Sequence, residues 1–359
     1  MVNQKKTATI DFNGALKRLQ DTNTEISARG IGALSNANKK DLAAFAQVWI
    51  DLPVERRQRV ARMMVELAEE DFKLDYEFLF RHFLTDEDAT VRVAGIEGLW
   101  ESEDTALVKP MIGFLRSDPD ARVRAAAADS LGRFMLLAEY GRLPESHGQL
   151  IGEALLATTR SANEELTVRC RSVEALAYWG ADVVKVVIDA AYEDPAPEMR
   201  ASAIAAMGRT ADSVWRKTVL DELESPDARM RFEAARSSGE LENRDATQRL
   251  IELLEDPDRE VQIAAVTALG QVGGKMAKNA LIQAAASDDE VLSSLATDAL
   301  QELDFADTGE FLMLDMDAQA TGAIDETDDD DLVLEDEEPD EGDTEREDEE
   351  WDDDNLEEE

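Results

Sequence analysis

Along the middle of the chain the apolar positions fall into one phrase, met six times. A short acidic turn, four times with a proline, leads into a helix with aliphatic residues at a fixed phase. The clearest copy is DPDARVRAAAADSLG, Asp118 to Gly132, and its counterparts begin at Asp86, Glu164, Asp194, Ser225 and Asp256. Aligning the residue after each Val or Met gives Arg92, Arg124, Arg169, Arg200, Arg231 and Gln262, at steps of 32, 45, 31, 31 and 31. With that residue as zero, position −1 is Val91, Val123, Val168, Met199, Met230 or Val261. Position +4 is Ile96, Ala128, Val173, Ile204, Ala235 or Val266, and position +7 is Leu99, Leu131, Leu176, Met207, Ser238 or Leu269. This is the buried stripe of a helix. Positions +3 and +6 are mostly small, which lets helices approach closely.

A constant period of this size implies stacked supersecondary units and not one globular core. The predicted fold is all-α: an α-solenoid of about eight helical hairpins, near 41–69, 72–102, 105–141, 144–180, 182–210, 212–241, 244–273 and 275–305. A basic lead-in, 1–40, precedes it, with Ile10, Phe12, Leu16 and Leu19 spaced for a short docked helix. A linker with one apolar cluster, 306–324, and an acidic tail, 325–359, follow. Pro53 is expected to open a helix, and Gly132, Gly180, Gly208 and Gly270 to close helices. The long step places an insertion at 133–150, read as a lengthened helix and a loop with Gly141, Pro144 and Gly148. The last unit lacks both the Arg and the Gly, as a capping repeat can. Ser238 in an apolar slot and Gln262 in the Arg slot predict looser stacking there.

Charge adds a second pattern. The formal net charge is −44. Residues 325–359 hold 24 acids and one Arg, whereas residues 1–62 hold 11 bases against 6 acids. Dense like charge with few apolar residues predicts a disordered tail. The tail is either a solubilising segment or a hook for a basic partner, with Trp351 and the Leu332–Leu334 cluster as anchors. A weak, salt-sensitive contact with the basic residues Lys39, Lys40, Arg56, Arg57, Arg59 and Arg62 is the corresponding expectation. Nucleic acid fits this balance poorly, because phosphate contacts need a clustered basic face. No apolar run reaches membrane-spanning length, the start of the chain has no apolar signal segment, and the single cysteine, Cys170, forms no internal disulfide. A cytoplasmic protein is the expectation.

The Asp-Pro turn, the Val-Arg pair and the Ala-Leu-Gly ending together resemble HEAT-like repeats of the phycobilisome-lyase type, over 72–305 and more loosely over 41–71. That resemblance implies a fold and leaves function open, since such repeats serve enzymes, scaffolds and adaptors. It also implies that the second helix of each pair lines the concave side, with +2, +5 and +9 turned outward. Those positions supply the candidate partner-binding residues Glu97, Asp129, Arg133, Arg171, Glu174, Tyr178, Arg209 and Arg236, with Trp351 from the tail. The repeated Arg is expected to span to a neighbouring turn, with Asp118, Asp194, Asp227 or Asp256 accepting.

Catalytic chemistry has little to work with. His82, in FLFRHFL, reads as a half-buried packing residue, and His147 as an exposed residue of the insertion. The His-Glu pairs of HEAT-like deoxyhypusine hydroxylases are not matched, because Phe83 and Gly148 follow the two histidines. Cys170 stands at +1, where other copies carry Val93, Ala125, Ala201 or Ile263, and reads as core. A calcium-loop echo at Asp315, Asp317, Gln319 and Glu326 has Ala320 where the loop needs glycine. No catalytic residue, cofactor or metal is therefore assigned. The expected function is a non-enzymatic scaffold binding a protein partner of basic character. A chromophore-lyase-like enzyme or accessory and an acidic chaperone for a basic protein are the alternatives.

Overall fold

The computed structural model describes residues 10–22 and 24–321, with side chains to Phe305. Among the described residues there are helices and no strands. The helices are α1 Phe12–Gln20, α2 Ala28–Gly32, α3 Lys39–Trp49, α4 Val54–Glu70, α5 Glu77–Phe83, α6 Ala89–Glu97, α7 Val108–Ser117, α8 Ala121–Glu139, α9 Glu145–Thr159, α10 Leu166–Leu176, α11 Val183–Tyr192, α12 Pro197–Arg209, α13 Arg216–Glu222, α14 Ala228–Glu240, α15 Thr247–Glu252, α16 Arg259–Val272, α17 Gly274–Ala285 and α18 Glu290–Thr321. From α3 onward they pair into eight hairpins, α3/α4 to α17/α18. The lead-in is helical too: α1 buries Ala15, Leu16 and Leu19. Helix α18 runs on through 306–321, where a linker was expected. The acidic tail from 325, with Trp351, lies outside the described residues.

The stripe at −1, +4 and +7 is the core. Val91, Val123, Val168, Leu131, Leu176, Ile204 and Leu269 are fully buried. Ser238 is buried as well, and its hydroxyl donates to Ala234 O at 2.7 Å within its own helix. Such a back-bond satisfies the one polar atom the slot introduces, so the sixth helix pair keeps its buried stripe.

In the acidic turns at 86–88, 118–120 and 256–258 two aspartates serve two tasks. The aspartate at −4 caps the second helix: Asp88, Asp120, Asp227 and Asp258 each accept a backbone N–H of the first turn. Their side chains satisfy amides that would otherwise lack partners. The aspartate at −6 folds the turn, as when Asp118 accepts from Asp120 N at 2.9 Å, and it also receives the Arg of the preceding repeat. Arg92 grips Asp118 with two bonds of 2.9 and 2.8 Å. Arg231 grips Asp256 at 2.7 and 2.8 Å. Arg57 reaches Asp86 at 3.0 Å, Arg124 reaches Glu164 at 2.7 Å, and Arg169 approaches Asp194 to 3.7 Å. These guanidiniums also reach back: Arg92, Arg124, Arg200 and Arg231 each donate to the carbonyl six residues earlier, and Gln262 does so through its amide at 2.7 Å.

Asp227 is not an acceptor of this ladder, contrary to expectation. It is spent as a cap, and the −6 residue of its turn is Ser225. Arg200 consequently meets no carboxylate among the described residues and holds only Asp194 O and Pro195 O.

The glycines also need correction. Gly132, Gly208 and Gly270 lie inside α8, α12 and α16 and do not end them. Each stands at +8 and faces the +6 residue of the next repeat. A Cβ on Gly132 would lie 3.0 Å from Ala175 Cβ, and one on Gly208 only 2.8 Å from Ser237 Cα. Their task is to let successive second helices touch. Pro53 sits one residue outside α4, as its cap. In the insertion, α8 is lengthened as expected and Gly141 turns with φ +69°, but Gly148 is inside α9, buried.

The expectation for the basic lead-in changes as well. Arg56 is committed to the carbonyls of Arg18, Leu19, Asp21 and Thr24, and Arg57 to Asp86. These two cations tie the lead-in and first repeat to the stack.

Candidate functional site

The second helices carry the charged face. At its centre, Glu174 of α10 is 4% exposed. Position +5 was read as outward, yet here and at Ala205 it is buried, because the next second helix crosses over it. Glu174 is fully engaged. Arg171 donates to its Oε2 at 2.6 Å, Arg209 Nη1 stands 3.3 Å from the same oxygen, and the Ser202 hydroxyl donates to Oε1 at 2.7 Å. Arg209 also lies over the Tyr178 ring at 5.9 Å, and Arg171 Nε is 4.0 Å from Asp129. One helix further on, Arg236 stands between Glu233 at 3.2 Å and Glu240 at 3.5 Å. Burial pushes the Glu233 and Glu240 carboxyls above their ordinary range, against the pull of Arg236. The structure thus gathers Asp129, Arg171, Glu174, Tyr178, Arg209 and Arg236 into one network. Glu97 and Arg133 belong to a neighbouring region. Arg133 turns back onto the chain, donating to Ser102 O at 2.7 Å and resting on the Phe134 ring at 4.4 Å.

Beside this network runs a groove of about 570 Å³ across α10, α12, α14 and the start of α16. Leu166, Cys170, Ala201, Ala228 and Phe232 give it apolar surface. Glu174, Glu198, Glu233, Asp258 and Glu260 contribute carboxylates, against the guanidiniums of Arg171 and Arg229. Arg171 is held by Glu174, and Arg229 stands 3.7 Å from Glu198, so both cations already face acids. The surplus is negative.

The groove lies at positions −2, +1 and +2, nearer the helix starts than the expected +2, +5 and +9. Phe232, Glu198 and Glu260 were missed for that reason. One signal was present: Phe232 is aromatic at +1, where the other copies carry small or aliphatic side chains.

The remaining chemistry-bearing residues are placed as follows. His82 packs half-buried, edge-on to Phe45 with ring centroids 6.1 Å apart, and burial lowers its pKa. His147 is partly buried, not exposed, and its Nδ1 has no hydrogen-bond partner among the described residues. Cys170 is buried, and burial raises its thiol pKa, which disfavours the thiolate. Backbone 315–321 is helical, which is not the loop that calcium coordination requires, and Glu326 lies outside the described residues. Among the described residues no three His, Cys, Asp or Glu side chains are grouped to hold a metal ion, and no helix is long and apolar enough to cross a membrane.

The HEAT-repeat signature matches residues 76–143 and 216–301. Within those two stretches the stacked units are HEAT repeats. Solved structures to which the chain is similar include YibA of Escherichia coli, at 18% identity over 76% of this chain and 95% of that one, with a TM-score of 0.41. The CpcE–CpcF complex of phycocyanin lyase from Nostoc is 16% identical over 63% of this chain and 94% of that one, with a TM-score of 0.42. Human deoxyhypusine hydroxylase is 16% identical over 74% and 96%, with a TM-score of 0.34. No curated protein sequence matches the chain.

Proposed function

We propose that this HEAT-repeat chain is a non-enzymatic scaffold that holds a basic segment of a partner protein in the groove across α10, α12 and α14. The observation that carries this reading is the lining: an apolar floor with Phe232, edged by carboxylates whose only cationic neighbours are already paired. An apolar contact surface bounded by one sign of charge suits a peptide that alternates apolar and cationic side chains. The apolar part supplies affinity, while the charge supplies encounter rate and choice of partner. Glu198 of α12 and Glu260 of α16 both stand at −2, with Arg229 of α14 at the same position between them and already beside Glu198, so the acidic edge spans three second helices and suits an extended ligand.

The test is affinity purification with the full-length chain, from its native source, followed by quantitative mass spectrometry. The double variant Phe232→Glu/Glu260→Lys is compared with Val214→Glu, a change at an exposed residue away from the groove. Basic partners should be reduced about tenfold by the groove variant and retained by Val214→Glu. An unchanged partner set in a groove variant that is still fully helical would refute the reading.

A further inference from the structure

A second region, on other helices, has the features of a docking site. Trp100, just after α6, is 50% exposed and separates two cavities. The first, about 300 Å³, lies between α4, α6 and α8 and is walled by Glu69, Glu97 and Asp129 over Ile96 and Ala126. The Glu97 carboxyl is raised by burial first and then by Glu69 and Asp129. Of the three, Asp129 alone has an ion pair among the described residues, with Arg171. Arg133 is bonded to the Ser102 and Leu99 carbonyls, and Arg171 is only 4.0 Å from Asp129 while held by Glu174. Glu69 and Glu97 have no ion pair among the described residues.

The second cavity, about 200 Å³, is lined by Phe72, Leu74, Tyr76, Phe80 and Leu99 on the other side of the indole. Tyr76 is only 2% exposed, and its hydroxyl is buried with no hydrogen-bond partner among the described residues. A buried donor without an acceptor is unusual, and the tyrosine that carries it lines this cavity. Phe72 stands above it at 84% exposure, with the Lys73 ammonium 5.8 Å from its ring centre. Exposed aromatics next to a fitted pocket are the usual anchors of protein interfaces.

We infer that the paired cavities around Trp100 take a short segment of a partner protein with a lysine or arginine beside an apolar residue. The cation enters between Glu69, Glu97 and Asp129, against the indole face, where charge and ring quadrupole act in the same direction. The apolar side chain covers Phe72, and a backbone carbonyl next to it accepts from the Tyr76 hydroxyl. Charge complementarity selects this occupant: Glu69 and Glu97 have no ion pair among the described residues, and Asp129 shares Arg171 with Glu174, so the walls keep a negative surplus that repels phosphate-bearing and acidic ligands. This site goes beyond the groove at Phe232 and has its own variants.

The experiment uses the full chain with 5-fluorotryptophan and ¹⁹F NMR, the Trp100 resonance being assigned by its loss in Trp100→Phe. The probes are capped peptides Gly-Lys-Leu-Gly, Gly-Ser-Leu-Gly and Gly-Glu-Leu-Gly. The Lys-Leu peptide should shift the Trp100 resonance saturably, and Glu69→Gln/Glu97→Gln should weaken it about tenfold. The shift should fade near ~0.5 M salt, where the Debye length is only a few ångströms. Tyr76→Phe should weaken binding without altering its salt dependence, and Phe232→Glu should leave it unchanged. Equal shifts from all three peptides, no saturable shift, or a shift that follows protein concentration alone and so reports self-association would each overturn the proposal.

Discussion

Gly208→Ala and Gly113→Ala are the same chemical change in two helices and are expected to act in opposite directions. Gly113 lies on the exposed side of α7, and a Cβ there meets no atom within 4 Å. Alanine should stabilise by about 0.5–1 kcal/mol, the ordinary helix-interior difference from glycine. Gly208 has the same propensity to gain, but its Cβ would lie 2.8 Å from Ser237 Cα and 2.6 Å from Ser237 Oγ, and would press on the Glu240 carboxylate. Backbone at that range cannot yield unless α12 and α14 separate. Overpacking of this kind costs about 1–3 kcal/mol. Separation also stretches the bond from Ser237 Oγ to Ile204 O, now 2.8 Å and buried, which adds about 1 kcal/mol. After the propensity gain, the net loss is roughly 1–3 kcal/mol. Urea unfolding followed by circular dichroism measures both changes as midpoint shifts, which remain comparable even where a repeat array unfolds in more than one step. If Gly208→Ala unfolds at the same or higher urea than the parent, the contact between second helices does not explain the +8 glycine.

Leu131→Ala removes a fully buried +7 side chain and should cost about 2–5 kcal/mol in the same assay; a loss near zero would mean that the repeat phase is wrong. Asp256 gives a pH test. Its hydrogen bonds to Arg231 depress its carboxyl, so the pair's stabilisation is complete above the unfolded carboxylate pKa and is lost as pH falls through the lower folded value. Asp256→Asn should therefore be less stable near neutrality yet lose less between about pH 4 and pH 2; a parallel acid limb would refute this. Glu233 has the opposite sign, because burial raises its carboxyl: the fold should gain stability as pH falls through that raised value, and Glu233→Gln should remove the gain.

The helix pairs and the stripe at −1, +4 and +7 were legible because burial repeats with the helical period. The Arg ladder was legible in outline, as Arg92–Asp118 and Arg231–Asp256 show. Its lapse at Arg200 was hidden by the sequence SPD, in which Asp227 looks like the usual acceptor but is the usual cap. Gly132, Gly208 and Gly270 were misplaced because a helix stop and a close inter-helix contact call for the same residue. The groove was out of phase for a geometric reason. Which side of a second helix faces open space depends on how the next repeat rotates over it, and no local pattern records that rotation. The two aromatic landmarks, Trp100 and Phe232, break the repeat at their positions, and such exceptions are where a repeated sequence is most informative about binding.

The lapse in the Arg ladder has a mechanical consequence. Tight pairs brace the repeats at Arg92, Arg124 and Arg231, but between Arg124 and Arg231 the bracing slackens, with Arg169 no nearer than 3.7 Å to Asp194 and Arg200 without a carboxylate among the described residues. The hydrophobic core divides in the same stretch: Val168, Ala175 and Leu176 of α10 pack with the earlier repeats, and Cys170 and Val173 with the later ones. A bend imposed on the stack should therefore concentrate at α10 to α12 and not spread evenly. The Phe232 groove is floored by those helices, so its jaws would open and close with the bend, and a ligand gripping both sides would act as a splint.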